Sequence, residues 1–192
     1  ILSFLKMNKI VEIDEINMIA TVQPGVINYH LHQELEDKGL YYPPDPASYE
    51  TSSIGGNIAE DAGGPHCFKY GTTRDYVLGM VVVLPNGEII NTGVKTRKGV
   101  VGYDLHDLII GSEGTLGVVT EATLRLAGIP SHHLAITITF NQLDDASQAV
   151  AVMIGSGLEP AALELLTPEL INLMNREKDL GLPEVPSLFC EF

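Results

Sequence analysis

Two short strand-like runs, Lys9–Val11–Ile13 and Met18–Ala20–Val22, flank the polar run Asp14–Glu15–Ile16–Asn17, a pattern that predicts a hairpin. Pro24–Gly25 then interrupts, and Asn28 is placed to cap a helix. Leu31, Leu35 and Leu40, with Gly39 near the end, predict a short amphipathic helix closed by glycine. Three prolines (Pro43, Pro44 and Pro46) exclude regular structure from the Tyr41–Glu50 stretch. Thr51–Tyr76 is rich in glycine. Met80–Leu84 reads as a buried strand, Pro85–Glu88 as a turn and Ile89–Thr92 as the returning strand. Asp104–Ile110 predicts a short helix capped by Asp104; a second glycine-rich run, Gly111–Gly117, and a strand over Val118–Leu126 follow.

The character changes after Gly128–Ile129–Pro130. Leu134–Phe140 predicts a strand, Leu143–Ser156 a helix with Asp144 and Asp145 in its first turn, and Ala161–Leu166 a strand. Pro168–Lys178 predicts a helix with Thr167 as N-cap, and a strand over Ser187–Phe192 ends the chain. Strand and helix alternate here without glycine-rich loops, so a separate α+β unit is expected, with the boundary near Gly128: residues 1–127 and 128–192.

At 45% hydrophobic residues the chain can bury a core, which sets disorder aside. A formal net charge of −14, spread along the chain, repels phosphate backbones and anionic lipid surfaces, so nucleic acid is not an expected partner. It leaves a dinucleotide open, because backbone N–H groups hold phosphates without net charge. Two distant cysteines, Cys67 and Cys190, argue against a disulfide framework and for a reducing compartment, the cytoplasm. No apolar run approaches the about 18 residues a membrane span needs, and the first ten residues lack the features of a signal peptide. The chain opens in mid-pattern and stops on a strand without a turn, so both ends are expected to be cuts.

Two segments carry the candidate chemistry. Thr51–Gly64 holds two glycine pairs separated by small residues, which lets backbone approach a ligand and aim several N–H groups at a pyrophosphate or a flavin edge. A tight structural turn is the plainer reading of that segment taken alone. Gly111–Gly117 has GxxGxxG spacing, follows a helix and lacks the GK[ST] of a phosphate-binding P-loop, which disfavours an ordinary NAD or ATP site.

Taken together, Ser53–Ala59, Gly63–Gly71, Gly102–Leu105 and Ile110–Glu121 resemble the FAD-linked oxidases of the vanillyl-alcohol-oxidase (PCMH-type) family, nearest the glycolate oxidase flavin subunit and the D-lactate or D-2-hydroxyglutarate dehydrogenases. The resemblance covers Lys9–Leu126, and Ala135 onward looks like the opening of that family's substrate (cap) domain. It implies an α+β PCMH-type FAD-binding domain, incomplete at its N-terminus, followed by the start of an α+β cap. It implies FAD as cofactor and a small 2-hydroxy acid as substrate, with an iron–sulfur subunit as a candidate electron acceptor and a homodimer as a candidate assembly. Carried over position by position, it marks Pro44, Asp45, Ser53, Gly55, Gly56, Asn57, Ala59, Gly63, Tyr70 and Gly71 as cofactor-binding, with Glu113, Gly114, Gly117, Val118 and Val119 from the second segment. The family's GGGT-type phosphate loop and the cap-domain histidines and arginine are missing, so the chain alone is expected to hold FAD weakly or not at all and not to turn over. No catalytic residue is assigned. Another enzyme of this fold, such as an alkylglycerone-phosphate synthase or an aromatic alcohol oxidase, and a non-catalytic flavin-fold subunit are the alternatives.

Single residues have plainer readings. His66 is a loop histidine bonding backbone before it is a base, Cys67 a small buried hydrophobe, and Glu60 and Asp61 are exposed loop carboxylates. Adjacent His132 and His133 point opposite ways in an extended segment, so no metal site is expected.

Overall fold

The computed structural model describes residues 2–192, a mixed α+β chain dividing into two compact units. The first comprises residues up to Gly64 and Tyr70–Pro130; the second comprises Pro65–Lys69 and Ser131–Phe192.

The first unit is built on a five-stranded antiparallel sheet. The predicted hairpin is β1 (Ile10–Asp14) and β2 (Ile19–Val22), its turn closed by Asp14 accepting from the Asn17 amide at 2.9 Å. Further along come β4 (Val77–Val83), β5 (Ile89–Gly93) and β6 (Val118–Arg125), giving the order β1-β2-β6-β4-β5. Every residue of β2 is buried, in keeping with Ile19, Ala20 and Val22; Thr21 is the one polar side chain it takes inside. Helix α1 (Asn28–Glu36) places Leu31 and Leu35 in the core with Val22, Val82, Leu124 and Leu126. Each such side chain contributes about 1.5–3 kcal/mol by leaving water.

Three local expectations change. Asn28 does not cap α1: Ile27 occupies that position without a side-chain bond, and Asn28 is fully buried, its Nδ2 donating to the Pro44 carbonyl at 3.1 Å. The demand of the proline loop for a buried donor overrides the local preference for a cap. Leu40 is not on the helix but in a two-residue strand, β3 (Leu40–Tyr41), paired with β7 (Ala127–Gly128) after Gly39 turns the chain at φ +67°. The glycine-rich Thr51–Tyr76 stretch contains helix α2 (Ile54–Glu60), a one-turn helix α3 (Cys67–Tyr70) and a 3₁₀ turn over Thr73–Tyr76. No apolar period announces any of them.

In the second unit, β8 (Ala135–Thr139), β10 (Ser187–Glu191) and β9 (Ala162–Leu166) form a three-stranded antiparallel sheet with β10 central. Helices α5 (Leu143–Gly155) and α6 (Pro168–Lys178) link the strands, and Thr167 caps α6 as its sequence suggests, accepting from the Leu170 amide at 3.4 Å. Glu191 receives His66 Nε2 at 3.3 Å and His133 Nδ1 at 3.2 Å. Burial works to raise its pKa, but the two histidine contacts outweigh burial and hold the carboxyl below its ordinary value.

Gly93, at φ +72°, lies so close to β4 that an added Cβ would overlap the Leu78 carbonyl. Gly93→Ala is expected to destabilise the chain by about 2–4 kcal/mol in urea titration, through the strained φ and the overlap together.

Candidate functional site

Helix α2 begins where Ser53, in extended conformation, turns its Oγ back to accept the Gly56 amide at 3.2 Å. The preceding amides are also taken: Ile54 donates to the Val26 carbonyl and Gly55 to that of Pro24, both at 2.8 Å. The first turn of α2 therefore spends its donors inside the protein rather than on a ligand.

The glycines divide by what they face. A Cβ on Gly55 would lie 2.5 Å from Pro24 Cβ, and one on Gly117 would lie 2.6 Å from Val82 Cγ1. A Cβ on Gly64 would overlap the Asp45 carbonyl. Those three permit close packing of protein on protein. Gly56 meets only Ser53 Oγ at 3.2 Å, and Gly114 meets nothing within 4 Å. Their missing side chains leave open faces.

The 111–117 turn is made by left-handed residues at Gly111 (φ +77°), Glu113 (φ +52°) and Gly114 (φ +75°). Its Gly111 and Glu113 amides donate to the Ile58 and Ala59 carbonyls at the end of α2, each at 2.9 Å. The two glycine-rich segments thus meet directly. Between them lies a cleft of about 140 Å³, lined on one side by Ser53, Gly55, Gly56, Ile58 and Ala59 and on the other by Ile109, Ser112, Gly114, Gly117, Val118 and Val119, with Phe4 and Pro24 at its edge. None of these carries a charge. Among the described residues, no partner accepts from the Gly114 or Leu116 amide.

The other sequence-predicted residues lie outside that lining. Asn57 and Gly63 border a second recess of about 520 Å³ that shares Ser53 and Gly56 with the cleft. Asn57 is 3% exposed, and its Nδ2 is buried without a partner. The Pro44 carbonyl receives Asn28, and the Asp45 carbonyl abuts Gly64. Tyr70 meets Tyr41 edge-on at 6.1 Å; burial first, then the Tyr70 contact, raises the Tyr41 pKa and keeps its hydroxyl protonated. Gly71, at φ +85°, leaves room for the Asp75 carboxylate, which accepts the Thr72 amide at 2.8 Å. Glu113 is exposed and matters through its backbone.

Two residues were missed by sequence reasoning. Asp61 is not an idle loop carboxylate: it ends α2 at φ +53°, accepts Thr72 Oγ1 and the Arg74 amide at 2.9 Å, and pairs with Arg74 Nε at 3.1 Å. Arg74 goes on to donate to the carbonyls of Ile110 (3.0 Å) and Asp107 at the end of helix α4 (Leu105–Ile109). Nothing in the local spacing advertises this bond set. Asp104, His106 and Asp107 bring possible metal-ligating atoms within 4.8 Å of one another, but Asp107 already has Arg74 Nη1 at 3.8 Å.

At about 140 Å³ the uncharged, largely apolar cleft is too small for a whole dinucleotide, but together with the recess of about 520 Å³ that adjoins it at Ser53 and Gly56 it offers room, and open glycine faces, for a flat ring and the phosphates joined to it. Residues 1–93 match the family described as FAD binding domain, so the chain carries a PCMH-type FAD-binding domain, and FAD is the cofactor that domain is built for. Among curated proteins it is similar to the glycolate oxidase subunit GlcD of Bacillus subtilis, 49% identical over 183 residues that make up 95% of this chain and 39% of that protein. It is 43% identical to a D-lactate dehydrogenase of Anaerostipes hadrus, over 96% of this chain and 38% of that one. The chain therefore spans well under half the length of these relatives. Its fold matches the solved structure of an alkyldihydroxyacetonephosphate synthase with a TM-score of 0.82 at 25% identity, over 97% of this chain and 37% of that one. No helix among the described residues is long and apolar enough to cross a membrane.

Gly55→Ala is expected to cost about 2 kcal/mol or more by collision with Pro24, while Gly56→Ala, on the open face of the same helix, is expected to be neutral or stabilising by up to about 1 kcal/mol. Urea titrations of the two variants give the comparison.

Proposed function

We propose that this chain is the flavin-holding part of an FAD-dependent oxidoreductase acting on a small 2-hydroxy acid of the glycolate or D-lactate type. The observation that carries the reading is the meeting of Ser53–Ala59 with Gly111–Val119 around one uncharged cleft. The names of the relatives, glycolate oxidase subunit and D-lactate dehydrogenase, supply the substrate class.

Ser53, Gly55, Gly56 and Ala59 on one wall and Gly114, Gly117, Val118 and Val119 on the other would hold the cofactor. Asn57 and Gly63 would do so from the adjoining recess, with Pro44, Asp45, Tyr70, Gly71 and Glu113 completing the proposed set. FAD, when bound, supplies a two-electron acceptor for a carbon bearing a hydroxyl group. This chain's residues would contribute the surroundings: Ile58, Ile109, Val118 and Val119 exclude water, and the Gly114 amide offers a donor to phosphate oxygen. Residues 128–192 would open the substrate domain. The cytoplasm, assembly with an electron-accepting iron–sulfur subunit and a homodimer complete the proposal.

Titration of the chain with FAD, followed by quenching of flavin fluorescence, tests the reading. Weak but saturable binding is expected, and Gly56→Ala should weaken it about tenfold or more while leaving the fold intact, because the new methyl enters the open face. Absence of saturable FAD binding, together with tight binding of NAD, would replace the proposal. Full-length protein should bleach its flavin on addition of glycolate or D-lactate without oxygen.

A further inference from the structure

We infer that Arg74, aimed by Asp61, is the positioning residue that fixes the 111–117 turn against α2 and so sets the width of the cofactor cleft. The assignment of the cleft to a cofactor rests on the function proposed above; the clasp itself rests on geometry alone.

Asp61 closes α2 in a left-handed conformation that is uncommon for residues other than glycine, although aspartate tolerates it better than most. Its two carboxylate oxygens divide the work. Oδ1 accepts Thr72 Oγ1 and the Arg74 amide, and Oδ2 accepts Arg74 Nε, so the guanidinium leaves the carboxylate in one fixed direction. The two remaining nitrogens reach the Asp107 and Ile110 carbonyls, which α4 leaves unsatisfied at its end. Ile110 is directly followed by Gly111, whose amide donates to the Ile58 carbonyl, and the Glu113 amide donates to the Ala59 carbonyl. Arg74 therefore grips the turn at its entry, while α2 grips it at the next residue, Gly111, and again at Glu113.

Neither Asp61 nor Arg74 lines the cleft between Gly56 and Gly114. Any effect on that cleft must pass through the turn. A planar fork with donors on three nitrogens serves one carboxylate and two carbonyls at once, which an ammonium at the end of a flexible stem cannot do. The side chains are only partly exposed, 35% for Arg74 and 22% for Asp61, so water replaces these bonds incompletely when they are lost.

Arg74→Lys and Asp61→Asn in the full chain provide the test, with amide hydrogen exchange by NMR, FAD titration and urea unfolding read on each. Arg74→Lys is expected to accelerate exchange at Gly111 and Glu113 by about tenfold or more, and to raise the FAD dissociation constant of the folded chain by about tenfold. Amides of β2 and β6 should keep their rank as the slowest. Asp61→Asn keeps an oxygen for Thr72 but loses the charge that aims the guanidinium, so the same two amides should loosen to a smaller degree; it decides the matter if Arg74→Lys does not fold. Protection lost evenly across sheet and turn, or FAD bound by folded Arg74→Lys as tightly as by the parent, would overturn the inference. A parent chain that binds no flavin would defeat the cofactor reading, while exchange at Gly111 and Glu113 would still decide the clasp.

Discussion

Two backbone hydrogen bonds, from Gly111 and Glu113 to the last carbonyls of α2, are the constraint on which the site depends. A helix end leaves carbonyl oxygens without intrahelical partners, and most helices give them to water or to a capping residue. Here they are given to a turn some fifty residues further along the chain. A helix of seven residues with two internal glycines has little stability of its own, so its position comes from what it packs against. Pro24 and Val26 hold its beginning, and the turn holds its end.

That arrangement gives glycine two separate uses. Gly55, Gly64 and Gly117 are spaces into which protein fits, and Gly56 and Gly114 are spaces left for something else. The cleft between them has no charged lining residue in a chain of net charge −14. Phosphate groups brought there gain nothing from local cations, so their retention falls to oriented amides and to exclusion of water.

The sequence made the regular elements legible where side-chain pattern decides them. The β1–β2 and β4–β5 hairpins, α5, α6 with its Thr167 cap and the strand β6 follow apolar period and turn chemistry. The two glycine-rich segments stand out through composition and family resemblance, but no local pattern fixes their meeting. Helix α2 was hidden because its residues show no apolar stripe and its glycines speak against a helix. Asn28 was misjudged because a buried carbonyl in the proline loop, remote in sequence, claimed its amide. Asp61 and Arg74 were illegible for the same reason: their partners lie at Thr72, Asp107 and Ile110, and only the folded chain brings these together.

The strand order carries a consequence for how the chain acquires its shape. In the β1-β2-β6-β4-β5 sheet, the two local hairpins never touch each other edge to edge; β6 stands between them. During synthesis both hairpins emerge long before β6 does, each with one flank unsatisfied, and the sheet can close only when residues 118–125 leave the ribosome. Until then the flanks of β2 and β4 that β6 later covers stand open, each a template on which another strand can pair.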